Sequence, residues 1–246
     1  MLFRSFGRDR LLMAKDIAER QGYQVIHALV DSLYLWKLNA ARADYQRLAD
    51  EITQTTGLPI DVEGIYKWIV FVPSKSSPRI GVPNRYFGAM QDGKLKVRGI
   101  EMRRHDCPAI VADMQKEILD VLRQAGNAAE YQALLNTRGR DILEKYLARL
   151  RDGAVQATDL AISTSLSKWP EQYTHATRAA IAAQSLAARG VHLRPGENIS
   201  YILTDTDSAI PSERVRPIQM LEDGLVYDQQ EYPRLLRLAY EPFLPR

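Results

Sequence analysis

An α+β fold is expected for this 246-residue chain. Three features point to it. Short β-branched and aromatic runs alternate with amphipathic stretches as far as Arg104, and helical periodicity dominates beyond that point. A hydrophobic content of 46% against 26% charged residues supplies both a core and a solvated surface. The composition changes near residue 105, which divides the sequence into an α+β part, 1–105, and a mainly helical part, 106–246. No run of about 18 apolar residues occurs, so neither a membrane span nor a membrane partner is expected. The N-terminal MLFRSFGRDRLLMAK lacks the apolar stretch of an export signal. Cys107, the single cysteine, forms no internal disulfide and no zinc cluster. A soluble cytoplasmic protein is therefore expected.

The elements follow in order. Residues 7–21 read as a helix with Leu11, Ala14, Ile17 and Ala18 on one face and Gly22 as its stop. Runs 24–30 and 33–37, separated at Asp31-Ser32, read as a hairpin. A helix over 40–53 has Asn39 as its N-cap and Tyr45, Leu48 and Ile52 as its apolar stripe. Residues 65–72 (IYKWIVFV) read as a strand, and 74–83 as a loop rich in Pro, Gly and Ser. Runs 85–90 and 94–97 flank Asp92-Gly93, a strong hairpin signal. Asp106 is expected to cap a helix over 107–125, in which Val111, Met114, Ile118 and Leu122 share a face. Helices are also expected over 141–151, 171–189 and 231–240, a strand over 199–203 and a loop over 204–217.

Net charge is only +3, too little to argue for nucleic-acid binding by itself. Its distribution says more. Between residues 96 and 104, Lys96, Arg98, Arg103 and Arg104 stand against a single acid, Glu101.

Gly7-Arg8 with a helix and then His27-Ala-Leu29-Val-Asp31-Ser32, next Asn84-Arg85-Tyr86, and last Lys94-Leu-Lys96-Val-Arg98-Gly99-Ile100-Glu101 are three segments that, in this order, resemble those of family B DNA polymerases. The first is similar to the motif C region, where a hairpin turn reads Tyr-Gly-Asp-Thr-Asp-Ser. The second stands where the family has Lys-Lys-Arg-Tyr, and the third matches the Lys-x-Arg-Gly-x-Glu run that closes the palm. Leu166-Ser-Lys168 with Tyr173, and Arg194-Pro-Gly196-x-x-Ile199-x-Tyr201, look like segments of the family's thumb. The resemblance implies a partial palm, an antiparallel sheet with helices, over 1–105 and a thumb over 106–246. There are departures. Leu29 and Val30 stand for the first motif C aspartate and its threonine, as in a divergent prokaryotic branch, and Pro83 and Asn84 replace the two lysines. Nothing resembles motifs A and B or the exonuclease domain, so an N-terminal polymerase chain carrying them is an expected partner.

The chemistry implied by the resemblance is attack of a primer 3′-hydroxyl on a nucleotide α-phosphate, assisted by two Mg²⁺ ions. Mg²⁺ takes oxygen ligands, so carboxylates are the residues to look for. Asp31 matches the metal-binding second aspartate of motif C, and Glu63 stands where the palm often supplies a further acid. As an alternative, Asp31 is an ordinary turn residue bonding its own backbone. Arg85, Tyr86, Lys96, Arg98, Arg103, Arg104, Lys168 and Tyr173 are the candidates for gripping primer–template DNA through its phosphates and minor groove. Deoxynucleoside triphosphates are the other implied ligands, and a nucleoid-associated location follows. A catalytically silent relative that binds DNA is the alternative function. Thr204-Asp205-Thr206-Asp207-Ser208 reproduces Asp-Thr-Asp-Ser but follows the thumb segment, and it is read as a chance match in a turn. His27, His105, His175 and His192 have no metal-ligand spacing.

Overall fold

The computed structural model describes residues 2–29, 31–74, 81–221 and 225–244. The chain divides into two compact units, Met1–Lys96 and Val97–Arg246. Among the described residues no helix is long and apolar enough to cross a membrane.

The first unit opens with α1 (Leu2–Arg20), which ends where Gly22 takes a positive φ of 79°. A hairpin follows, β1 (Gln24–Leu29) against β2 (Ser32–Trp36), antiparallel, with a bulge at Ile26. Val30 lies outside the described residues. Alternation along β2 gives the hairpin two faces. Leu33 and Leu35 pack on Ala14, Ile17 and Ala18 of α1, and on Leu48 and Ile52 of α2 (Arg42–Thr56). Tyr34 points the other way, with its ring 5.0 Å from Phe71 and 5.4 Å from Tyr86. Those rings belong to β3 (Tyr66–Pro73) and β4 (Gly81–Met90), which with β5 (Leu95–Arg98) form a sheet in the order β3-β4-β5. The hairpin is thus sandwiched between helices and a second sheet. Pairing of β3 with β4 needs a glycine at 88, because a Cβ there would meet the Trp68 carbonyl and the Tyr66 ring at 2.8 Å.

Two local expectations of this unit are corrected here. Asn39 does not cap α2. It takes a positive φ of 58°, Ala41 occupies the N-cap, and the Asp44 carboxylate accepts from the Ala41 amide at 2.7 Å. The loop expected to reach residue 83 ends sooner, since β4 begins at Gly81 and admits Pro83 at an exposed position. Of that loop, 75–80 lie outside the described residues.

In the second unit, α3 (Ala109–Leu122) is the central helix, burying Ile110, Val111, Met114, Ile118 and Leu122. Its N-cap is Pro108, not Asp106, whose carboxylate is engaged by Arg104. Around α3 pack α4 (Ala128–Leu134), α5 (Arg140–Arg151), the short α6 (Ala157–Leu160) and α8 (Glu231–Tyr240). A wide π-helical turn, Leu135–Gly139, joins α4 to α5. The Tyr240 hydroxyl donates to the Leu135 carbonyl at 3.2 Å within that turn. An antiparallel sheet in the order β6-β7-β8 completes the unit, from Ile162–Ser165, Asn198–Leu203 and Val215–Pro217, with α7 (Arg178–Ala187) on it. The helix expected over 171–189 is shorter than its periodicity suggested, because Pro170–Gln172 form a separate 3₁₀ turn and Thr177 caps α7 through the Ala180 amide.

Candidate active site and nucleic-acid interface

Asp31 lies in the turn between β1 and β2, exposed, and among the described residues the Ser32 hydroxyl stands 3.5 Å from its carboxylate. Strand alternation sends Leu33 and Leu35 to the helices and leaves the turn at the mouth of a cleft of about 770 Å³. Asp31 lines this cleft, and so do Glu63 and Tyr66, while Ile26, Leu33, Leu35 and Trp36 give it apolar walls. The two predicted carboxylates thus share one cleft. Glu63 is already engaged, however: the Lys96 ammonium binds both of its oxygens. Burial first, and the charge of Glu63 second, push the Tyr66 hydroxyl far above the ordinary tyrosine range, so it stays protonated. Tyr34 is raised likewise, first by burial and then by its hydrogen bond to Tyr86. Among the described residues no group of three or more His, Cys, Asp or Glu side chains assembles that could hold a metal ion.

The predicted DNA-contacting residues separate by exposure. Tyr86 is only 3% exposed, and its ring is spent in the aromatic cluster with Tyr34 and Phe71. It braces β4 from within instead of facing solvent. Arg85, its neighbour, is half-buried and follows Asn84, whose positive φ of 59° twists the strand there. Lys96 is held by Glu63. Arg98 ends β5, exposed, just before Gly99 at φ 64°. Arg103 is exposed in the 3₁₀ turn Glu101–Arg103. Arg104 is also exposed but makes a two-pronged bond to Asp106, at 2.9 and 2.7 Å, which raises the guanidinium pKa and lowers that of the carboxyl.

The thumb-like residues stand on a turn after β6. Lys168 is exposed. The Tyr173 oxygen accepts from the Ser167 amide at 2.9 Å and the Lys168 amide at 3.3 Å, with the Ser167 hydroxyl at 3.4 Å. Slight burial alone would raise this phenol; the bonds to Ser167 and Lys168 outweigh it and hold the pKa below the ordinary tyrosine value. Trp169, on the same turn, remains 39% exposed. No sequence signal singled it out, since a lone tryptophan before a proline does not reveal which way its ring faces.

Two other features have structural explanations. Thr206 of the Asp-Thr-Asp-Ser look-alike donates its amide and hydroxyl to Asp228, which also accepts from the Gln230 and Glu231 amides at the start of α8. Asp205 and Asp207 point to solvent. Gln115, fully buried on α3, accepts from the Met102 amide and donates to Glu101 and the Ala239 carbonyl, tying the basic turn to α3 and α8.

Comparison with known proteins places this geometry in context. The model of DNA polymerase family B matches residues 7–240. A DNA polymerase of Archaeoglobus fulgidus is 26% identical over 219 residues, covering 89% of this chain and 26% of that protein. DNA polymerase 1 of Sulfolobus acidocaldarius is 26% identical over 244 residues, covering 98% of this chain and again 26% of the relative. The chain therefore spans about a quarter of the length of these relatives. Among solved structures, the family B DNA polymerase of Pyrobaculum calidifontis superposes with a TM-score of 0.69 at 22% identity, over 98% of this chain and 29% of that one.

Proposed function

This chain belongs to DNA polymerase family B, and from that membership we propose that it is the C-terminal portion, or a split subunit, of a DNA polymerase. Joined to a chain carrying motifs A and B, it takes part in template-directed transfer of deoxynucleotides to a primer terminus. The observation that carries this reading is Asp31, a solvent-facing carboxylate at a hairpin turn, sharing its cleft with Glu63.

Asp31 is the residue that would hold Mg²⁺, with the long Ser32 contact, among the described residues, to give up. Glu63 serves as a second oxygen donor only when Lys96 releases it. When bound, the metal supplies charge neutralisation at the reacting phosphate. Among the described residues this chain offers one carboxylate outright and a second under a lysine's hold, and further ligands would come from the partner. The cleft supports the same conclusion. Ile26 and Trp36, 46% and 52% exposed, are what a missing neighbour would cover. Arg85, Lys96, Arg98, Arg103, Arg104 and Lys168 neutralise backbone phosphates of the primer–template without reading sequence.

Primer extension by the complex with the N-terminal partner tests the reading. Wild-type complex extends the primer, and Asp31→Ala reduces extension by about a thousandfold or more, the scale of a lost metal ligand. Unchanged extension by the variant refutes the role of Asp31. A second reading, a silent relative that only binds DNA, is favoured by Leu29 in place of the first motif C aspartate and by the Lys96–Glu63 pair. A complex that binds duplex DNA but never extends it selects that reading.

A further inference from the structure

The turn that bears Lys168 is anchored on three sides. Upstream, Leu166 is buried, donates its amide to the Glu197 carbonyl at 2.9 Å and accepts from the Gly196 amide at 2.7 Å. Downstream, Pro170 is buried, and its carbonyl accepts from the Gln184 side chain on α7 at 3.1 Å. Across the middle, the Tyr173 oxygen takes the Ser167 and Lys168 amides. Between these anchors Ser167, Lys168 and Trp169 stay exposed, and the two large side chains are the Lys168 ammonium and the Trp169 indole, the latter 39% exposed.

An exposed indole beside a lysine is a poor choice for a merely solvated turn. A large aromatic surface left in water is unfavourable, and nothing about the turn's own bonding requires it. Fixing the backbone beforehand also removes the ordering cost of a contact made by residues on a loose loop. A phosphate next to a deoxyribose offers matching chemistry: an anion for the ammonium and an apolar sugar face for the ring.

We propose that Tyr173 is a positioning residue that does not itself touch DNA, and that it holds the 167–169 turn so that Lys168 and Trp169 together meet one phosphate and its neighbouring deoxyribose on duplex DNA. The proposal rests on the DNA-binding reading above but assigns new work within it. Trp169 becomes a contact, and Tyr173 acts only through the turn.

Duplex binding by the full chain, measured across a salt series, tests it. Lys168→Ala should weaken binding and lower the slope of log affinity against log salt by about one. Tyr173→Phe keeps the ring and removes the accepting oxygen; it should lose affinity and slope in the same direction. With Lys168→Ala already present, adding Tyr173→Phe should cost little more. Trp169→Ala should weaken binding several-fold with the slope unchanged, since the ring carries no charge. Tyr173→Phe that binds as wild type, or whose loss simply adds to that of Lys168→Ala, overturns the positioning role. Trp169→Ala that binds as wild type overturns the contact. Wild-type chain that does not bind duplex at all sinks the DNA-binding reading and this inference with it. Thermal unfolding midpoints of the variants separate loss of fold from loss of contact: a Tyr173→Phe chain that melts as wild type yet changes the slope is acting on the ligand.

Discussion

The two units solve the same packing problem differently. In Val97–Arg246, buried polar side chains find partners across the unit. The Tyr232 hydroxyl accepts from the Leu203 amide and donates to the Leu160 carbonyl, each at 2.9 and 2.8 Å respectively. Tyr131 donates to the Phe243 carbonyl, and Gln115 meets three groups. In Met1–Lys96, by contrast, the Nε2 of His27 and the hydroxyl of Tyr66 are buried with no hydrogen-bond partner among the described residues. Trp36 and Ile26 remain 52% and 46% exposed beside an open cleft. Among the described residues the orphaned polar atoms fall in the first unit, whereas exposed apolar side chains occur in both, Val226 and Ile210 of the second being 58% and 54% exposed. Among the described residues the second unit's buried polar side chains are satisfied, whereas the first leaves polar atoms without a partner. The carboxylate-bearing cleft belongs to the first unit.

The largest effect expected from this contrast is on local stability. Native-state hydrogen exchange of the chain alone should find amides of β1 and β2 opening well before those of α3 and α8, by several kcal/mol. Addition of the N-terminal partner should slow exchange in β1 and β2 while leaving α3 unchanged. Equal protection in both units would abolish the contrast.

Tyr232→Phe comes next. It strands the Leu203 amide and the Leu160 carbonyl in the interior and should cost about 2 kcal/mol in denaturant unfolding. A cost near zero would mean that the second unit is not held by its polar network.

A smaller effect concerns acid. Burial alone would raise the Asp228 carboxyl, but bonds from Thr206, Glu231 and Gln230 outweigh it and hold its pKa below the ordinary aspartate value. A depressed carboxyl stabilises the fold fully above its unfolded value of about 3.9 and ceases to do so as pH falls through the folded value. Asp228→Asn should therefore cost about 1 kcal/mol at neutral pH and flatten the loss of stability below about pH 4. An unchanged acid limb would show that these hydrogen bonds do not favour the ionised form.

The smallest effect sharpens the other side of the comparison. Trp36→Ser should alter the stability of the chain alone by no more than about 0.5 kcal/mol, because half the ring is in water already. It should nonetheless weaken assembly with the N-terminal partner, measured by titration. A large loss of stability with no loss of assembly would place Trp36 in the core of the chain and not at an interface.

Much of the local structure was legible before any coordinates. Hydrophobic spacing located α1, β3, α5 and α8, and Asp92-Gly93 marked its hairpin, where Gly93 has a φ of 85° and Asp92 accepts from the Lys94 amide. Family motifs singled out Asp31 and Glu63, and those two do share a cleft. These are matters of periodicity, turn chemistry and motif, all carried by residues near one another in sequence.

What the sequence could not decide was who meets whom. Glu63 and Lys96 lie 33 residues apart, and nothing in either neighbourhood says that the ammonium will occupy the carboxylate proposed for metal. Tyr86 stands in a motif for gripping DNA, yet rings from two other strands draw it inside. Asp106 has every local qualification for a helix cap and spends its charge on Arg104. β6 was missed because Ile162–Ser165 is too short and too polar to announce a strand without β7 beside it. Charge pairing, burial and sheet formation depend on distances in space, which chain order does not encode, so tertiary structure alone settles which residues of a motif stay available for chemistry.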